Sequence, residues 1–537
     1  MNRLSALESL QQESPFDLLI IGGGATGCGI AVDAASRGLK VALIDKADLA
    51  EGTSSRSTKL VHGGVRYLEA AVKKLDRAQY HLVKEALYER GVFLKNAPHF
   101  SGRLPLVTPI YNWLEVPYVF AGLLLYDFLA GKQGLGHSYL IGRKEALRRF
   151  PMLKSKGLKA GVVYYDGQFN DARMAVTLAL TAQKNGAVVA NHVEALALKK
   201  ANGKLCGARV RDTLSGEEFT IRARGVINAA GPFVDRIRQM DEVSAVPILK
   251  AASGIHIVLS GRFVPPETGL LIPKTEDGRV LFILPWQGHA LIGTTDSPSE
   301  IMDHPQATEQ EIEYVLRHVN KYFDMSVTRS DVSAVWCGLR PLVQAPETTD
   351  TAQLVREHLL MVSPSGLISM AGGKWTSYRK MAEEAVDQAI QTYGFTSGQA
   401  CRTSHMPLVG AEHFDRDGQQ ALIKDFGLAD DVAHHLHHAF GDQAGRVAEL
   451  AKDGLGARLH GNHPYIEAEV VYAARHEFAA RASDVLTRRI PLALLDTAAA
   501  RTALSRVVEL MARELGWDDQ RCSEEIHISL QRLNIAI

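Results

Sequence analysis

Gly22, Gly24 and Gly27 stand at the G-x-G-x-x-G spacing directly after the apolar run Leu18 to Ile21. The first glycine allows a tight turn, the second lets backbone N–H groups approach a pyrophosphate, and the third lets a helix pack against a strand. Asp45 follows the run Val41 to Ile44, about twenty residues past the glycines, where a carboxylate accepts from a ribose hydroxyl. These residues together mark a dinucleotide site, with NAD and FAD both open. A second glycine pair, Gly372-Gly373, precedes Lys374 and follows the apolar Leu367 to Met370. A helix starting there would turn free N–H donors and a partial positive charge toward a ligand. His256 and Arg340 have the types needed for a proton acceptor and an anion-holding cation, although a lone histidine or arginine is more often structural.

The elements that must position these residues follow from pattern. Phe16 to Ile21 ends in four apolar residues without alternation, as a strand buried on both faces of a parallel sheet does. Ile30 to Arg37 reads as the crossover helix, stopped by Gly38, and Val41 to Ile44 as the next strand. The span Asp48 to Glu69 is rich in hydroxyls, cations and glycines, and suits a polar ligand's cradle. A helix with one apolar face is expected within 70–95. Val193 onward, with Gly203, Gly207 and Ser215-Gly216, reads as a β-meander, and Gly225 to Asn228 as a buried strand ending in small residues. From Val246 to Val343 short strands surround a helix, Glu309 to Tyr322, and His256 is expected to open the first of them. Past a linker, Gly394 to Gly410, amphipathic helices are expected over Glu467 to Leu486 and Thr497 to Leu515. His434, His435, His437 and His438 read as a solvated helix rather than a metal centre, so no metal site is expected.

Composition narrows the class. The chain has 537 residues, more than one compact core accommodates, with 60 Lys plus Arg against 60 Asp plus Glu, which argues against a nucleic-acid partner. Five widely spaced cysteines without a C-x-x-C pair point to a reducing compartment. Tyr111 to Gly131 is strongly apolar, crowded with Tyr111, Trp113, Tyr118, Phe120 and Tyr126, and interrupted by Glu115, Pro117 and Asp127. Aromatic side chains of this kind favour the headgroup level, so a monotopic membrane attachment through 111–131 is expected, against the alternative of a buried helix.

Longer blocks carry a family resemblance. TSSRSTKLVHGGVRYLE from Thr53, NDARM from Asn170, INAAGPFVD from Ile227, HIVLS from His256, IGTTD from Ile292, CGLRPL from Cys337 and AGGKWTSYRKMAEEA from Ala371 resemble the FAD-dependent, quinone-linked glycerol-3-phosphate dehydrogenases. The resemblance implies an α/β fold. Its parts would be a Rossmann-like FAD-binding domain of the glutathione-reductase/D-amino-acid-oxidase type, an interleaved mixed-sheet substrate cap and a C-terminal helical domain. The expected organisation is an N-terminal tail, 1–15; the FAD-binding domain, 16–390, with cap segments near 70–165 and 240–345; a linker, 391–410; and the helical domain, 411–537.

The implied reaction oxidises sn-glycerol 3-phosphate to dihydroxyacetone phosphate, with hydride passing from the central carbon to flavin N5 and electrons going on to a membrane quinone. FAD contacts are implied at Gly22, Gly23, Gly24, Ala25, Thr26, Gly27, Asp45, Lys46, Ser54, Ser55, Thr58, Lys59, Leu60 and Gly64, then at Val193, Ala230, Gly231, Gly373, Lys374 and Thr376. Arg66, Arg340 and Lys374 are implied for the phosphate and developing oxyanion, Tyr67 for a substrate hydrogen bond, and His256 as base. The resemblance admits a homodimer and implies attachment at the cytoplasmic face of the inner or cytoplasmic membrane. A glycerol-3-phosphate oxidase reducing oxygen, and a flavin-binding membrane scaffold without turnover, are the alternative readings.

Overall fold

A computed structural model of the chain describes residues 3–64, 77–273, 275–276, 278–344, 358–396 and 399–534. The strand Phe16–Ile21 lies at the centre of the first sheet, parallel to Val41–Ile44 on one side and to Glu218–Asn228 on the other. Val188–Ala190 extends the parallel set beyond Val41–Ile44, and Ile368–Gly372 extends it beyond Glu218–Asn228. Leu18, Leu19 and Ile20 are fully buried because both faces of this sheet are covered. On one face the helix Ala25–Ser36 packs with Asp171–Lys184 and Tyr378–Tyr393. On the other lies the antiparallel meander of Val193–Ala201, Lys204–Asp212 and Glu218–Asn228.

The second sheet is mixed and draws its strands from separated parts of the chain, Leu60–Val61 among them. Ser101–Ile110 and Ala160–Phe169 come from the first expected cap segment, while Leu249–Ser260, Leu281–Trp286, His289–Gly293 and Val332–Val343 come from the second. Glu309–Tyr322 forms the helix expected there, opened by a reciprocal capping box between Thr308 and Glu311.

Four local expectations need correction. The N-terminal stretch is no tail: Arg3–Leu10 is a helix that buries Ala6 and Leu10 against the first sheet, with Arg3 bonded to Asp212 at 2.7 Å. His256 sits well inside a strand that begins at Leu249, not at its start. The helix expected over Glu467 to Leu486 ends at His476, because buried Glu477 turns inward to a bidentate pair with Arg173, both bonds 2.7 Å. In the histidine-rich helix Asp430–Phe440, His435 and His437 are buried, His435 on Glu469 at 2.6 Å and His437 on the Asp415 carbonyl at 2.7 Å. The helix Thr497–Leu515 matches its expected bounds.

Candidate active site

The crossover helix begins at Ala25, immediately after the glycine turn, so its first amides face the space beyond the strand ends. The protein's own backbone enforces the turn. Gly22 holds φ +116°, a Cβ there would lie 2.4 Å from the Ala229 carbonyl oxygen, and a Cβ on Gly27 would lie 1.7 Å from the Gly22 carbonyl oxygen. Ser54 Oγ accepts from the Ala25 amide at 2.9 Å, which ties the polar loop to the helix start. Asp45 accepts from the Gly23 amide at 2.6 Å and from the Ala47 amide at 2.9 Å. Burial outweighs those bonds and pushes its carboxyl up to about 6.

A cavity of about 660 Å³ runs from this turn to the second sheet, within the range of cofactor sites. Gly22, Gly24, Ala25, Thr26, Asp45, Lys46, Ser54, Thr58, Leu60, Val193, Ala230, Gly231, Gly373, Lys374 and Thr376 line it, and so do His256 and Arg340. Gly23, Gly27, Ser55, Lys59 and Gly64 are not on its wall. Arg66 and Tyr67 lie outside the described residues.

Lys59 shows why a site-like residue can sit off the wall. Its ammonium is fully buried, 2.6 Å from both Asp171 and the Ser55 carbonyl, and 4.8 Å above the Trp336 ring. Asp171 also accepts from the amide and hydroxyl of Ser57 at 3.0 and 2.7 Å, so the pair locks the 55–59 loop.

Strand alternation builds the cap wall. On Leu249–Ser260, Gly254 and His256 share the cavity face; on Val332–Val343, Trp336, Gly338 and Arg340 do. The His256 ring stacks on Trp336 at 4.1 Å, and its Nε2 is 3.0 Å from Thr58 Oγ1. Gly293 must be small, since a Cβ there would lie 2.2 Å from His256 Cδ2. Burial, then the charges of Lys59 and Arg340, hold the imidazole well below its usual value, so it is neutral at pH 7. His256 Nδ1 is buried with no partner among the described residues. Arg340 is aimed by Asp296 at 2.9 Å and by Thr294 Oγ1 and the Thr295 carbonyl at 3.0 Å each, and Gly254 leaves room for its guanidinium. Thr376 Oγ1 bonds the His62 backbone, and Trp375 Nε1 donates to the Ser54 carbonyl at 2.9 Å. The two glycine turns are thus joined through the polar loop.

The cavity fits FAD on its own geometry. It offers a helix N-terminus for a pyrophosphate, the Asp45 acceptor for a ribose hydroxyl, and a length that spans from the meander to the cap. At Gly231, φ +55°, no atom of the described residues other than its chain neighbours comes within 4 Å of where a Cβ would stand, so the wall leaves space there.

Sequence reasoning missed several wall residues: Arg56, Asp303, His304 and Arg532. Arg56 lies inside the TSSRSTK block and was legible there. Arg532 comes from the last described helix, Asp519–Asn534, and pairs with Glu51 at 3.3 Å, a contact no local pattern announces. It belongs to a buried ionic hub in which Asp48 takes Arg489 at 2.7 Å and Arg488 at 2.5 Å, and Asp484 takes His192 at 3.0 Å. Asp48, His192 and Asp484 come close enough to share a cation, but Arg488 and Arg489 already supply that charge.

Fold and cavity together define a FAD-dependent oxidoreductase, and the family profile described as "FAD dependent oxidoreductase" matches residues 17–379. A second profile, "C-terminal domain of alpha-glycerophosphate oxidase", matches residues 401–522. The chain is 49% identical over 535 residues to the probable mitochondrial glycerol-3-phosphate dehydrogenase of Caenorhabditis elegans, covering 97% of this chain and 74% of the relative. It is 46% identical over 539 residues to the mitochondrial glycerol-3-phosphate dehydrogenase of Homo sapiens, covering 98% and 74%. The glycerol-3-phosphate dehydrogenase from Bacillus halodurans, solved complexed with FAD, superposes with a TM-score of 0.82 at 30% identity, covering 99% of this chain and 97% of that one. The L-alpha-glycerophosphate oxidase of Mycoplasma pneumoniae shares the fold, with a TM-score of 0.54 at 16% identity over 71% of this chain and 96% of that one. The chain belongs to the FAD-dependent glycerol-3-phosphate dehydrogenase family, and is an enzyme that uses FAD.

Proposed function

We propose that this chain oxidises sn-glycerol 3-phosphate to dihydroxyacetone phosphate, with a membrane quinone as the second substrate. The observation that carries the division of labour is the meeting of a neutral, buried imidazole with the directed guanidinium of Arg340 on the wall of a cavity that Lys374 also lines. FAD, when bound, supplies the two-electron acceptor. Arg340 and Lys374, with Arg66, hold the phosphate and the oxygen on which negative charge develops, and Tyr67 donates a hydrogen bond to the substrate. His256 takes the proton of the central hydroxyl as the carbon loses its hydride, so the alcohol becomes a ketone. Holding a reactant in one attack geometry is worth about 7–11 kcal/mol in the best cases, so the cations matter as much as the base. Anaerobic addition of glycerol 3-phosphate to the purified protein should bleach its oxidised-flavin absorbance, and a quinone analogue should restore the colour without peroxide. An unbleached flavin would contradict the assignment; stoichiometric peroxide in air with no quinone reduction would favour the oxidase.

The membrane part of the reading rests on Trp113–Gln133, which is long and apolar enough to cross a bilayer by length and composition. Its helix Val116–Ala130 does not have two lipid-facing sides. Leu123, Tyr126, Leu129 and Ala130 are buried against the protein, while Leu114 is 84% exposed, Phe128 78% and Trp113 59%. Burying large apolar side chains like these is worth about 1.5–3 kcal/mol each, and the one-sided exposure supports a helix lying on a membrane surface, which the family resemblance would put at the cytoplasmic face of the inner membrane. The five cysteines, all free, suit that reducing side. Trp113→Glu with Leu124→Glu should shift most of the protein from vesicle pellet to supernatant; unchanged sedimentation would overturn the surface-helix reading.

A further inference from the structure

The wall of the FAD cavity is not drawn from the two sheets and their loops alone. Arg532, from the helix Asp519–Asn534, lines it, and so does Glu51. Glu51 follows Ala50, whose amide donates to the Gly23 carbonyl at 2.9 Å. This carboxylate therefore stands one residue from a direct bond to the turn whose helix start offers donors to a pyrophosphate. Ala50 is buried at φ +61°, a left-handed conformation that a residue other than glycine keeps only where its neighbours impose it.

A carboxylate on that wall repels an anionic ligand, and the more so because Glu51 is only 8% exposed, where little water screens it. The C-terminal region supplies the offset. Three buried carboxylates, Asp48, Glu51 and Asp484, meet three guanidiniums, Arg488, Arg489 and Arg532. Arg489 is given to Asp48 at 2.7 and 2.9 Å and to the Glu477 carbonyl at 2.8 Å. Arg488 divides its contacts among Asp48 at 2.5 Å, Asp484 at 2.9 Å and Glu51 at 3.3 Å. Arg532 closes the set, 3.3 Å from Glu51 Oε1 and 3.4 Å from Oε2. Burial alone would raise the Glu51 carboxyl, but the charges of Arg488 and Arg532 hold it below the usual carboxylate range, so it is ionised at pH 7. Arg56 and Lys46, further cations on the wall, are turned elsewhere, Arg56 to the Cys337 carbonyl at 3.3 Å and Lys46 to Asp303. Without Arg532 the cluster carries one negative charge in excess, and Glu51 presents it to the cavity.

We propose that Arg532 is a positioning residue for FAD: by neutralising Glu51 it lets this wall accept the cofactor's diphosphate, so that the C-terminal helices complete the cofactor site. Arg532 acts through Glu51, and the two residues must therefore depend on each other.

The test follows release of FAD from diluted holoenzyme by the rise in flavin fluorescence, beside thermal unfolding. Arg532→Gln should release FAD about tenfold faster, the scale of one uncompensated charge in a partly dry site, and Arg532→Lys should stay close to wild type. Glu51→Gln, which still offers the Asp48 amide an acceptor, should release FAD no faster than wild type, and adding it to Arg532→Gln should restore the slow rate. Arg475→Gln, which breaks a surface pair with Glu514, should leave the release rate where it is. If Arg532→Gln does not accumulate as holoenzyme, Glu51→Gln and the double variant carry the test, and both should hold FAD as the wild type does. Unchanged release in Arg532→Gln would overturn the proposal. Fast release that Glu51→Gln fails to correct, or equal acceleration in Arg475→Gln, would also overturn it by reducing Arg532 to a tie between helices.

Discussion

The turn at Gly22–Gly27 and the turn at Gly372–Gly373 both end a buried parallel strand and lead into a helix, yet their glycines answer to different neighbours. At the first, added Cβ atoms would strike backbone: the Ala229 carbonyl oxygen from Gly22 and the Gly22 carbonyl oxygen from Gly27. At the second, a Cβ on Gly373 would strike the Met381 thioether, with Sδ at 2.3 Å and Cε at 2.4 Å, the far end of a flexible side chain. Both turns use positive φ, +116° at Gly22 and +82° at Gly373. The first turn is therefore a demand of the fold that also makes a cofactor site. The second has slack, and its importance lies in what Lys374 and the following helix start present to the cavity.

The sharpest way to separate the two turns is a matched pair of alanine substitutions. Gly27→Ala drives a methyl into backbone that cannot move without parting helix from strand. It should cost more than about 3 kcal/mol and yield protein that unfolds early and carries little flavin. Gly373→Ala should cost about 1–2 kcal/mol for a left-handed non-glycine residue and retain one FAD per chain, because Met381 can swing aside. Thermal unfolding and the flavin-to-protein absorbance ratio report both. Equal losses in the two variants would break the distinction.

The same contrast explains what was legible in the sequence. The first βαβ unit is local: its strands, glycines and Asp45 lie within one short stretch, where apolar runs and turn residues read out directly. The flanking strands Gly225 to Asn228 and Leu367 to Met370 were legible for the same reason. His256 and Arg340 stood out by residue type, but only the family blocks put them in one site, because strand register across Leu249–Ser260 and Val332–Val343 brings them together and register is not written in either strand alone. Arg532 and the Asp48–Arg489 hub were invisible, since they join the cofactor loop to helices more than four hundred residues away. Lys59 and Ser55 were read as ligand contacts because a polar, cationic loop looks like one. In the folded chain the Lys59 ammonium is spent on Asp171 and on the Ser55 carbonyl, which shapes the loop. The outer helix was legible as apolar but not as two-sided, for its inner face depends on Asp166 and Gly63.

The central chemical claim is that His256 accepts the substrate proton as a neutral base, and stopped-flow reduction of the flavin by saturating glycerol 3-phosphate across pH tests it directly. A base is lost when it becomes protonated as pH falls. Because burial and the Lys59 and Arg340 charges hold the imidazole well below 6.5, the wild-type reduction rate should stay level down through pH 6.5 and decline only at lower pH. His256→Asn should keep its FAD and lose about 10²- to 10⁴-fold in that rate, with the low-pH limb gone. A His256→Asn protein that reduces its flavin at the wild-type rate with the wild-type pH profile would contradict the assignment.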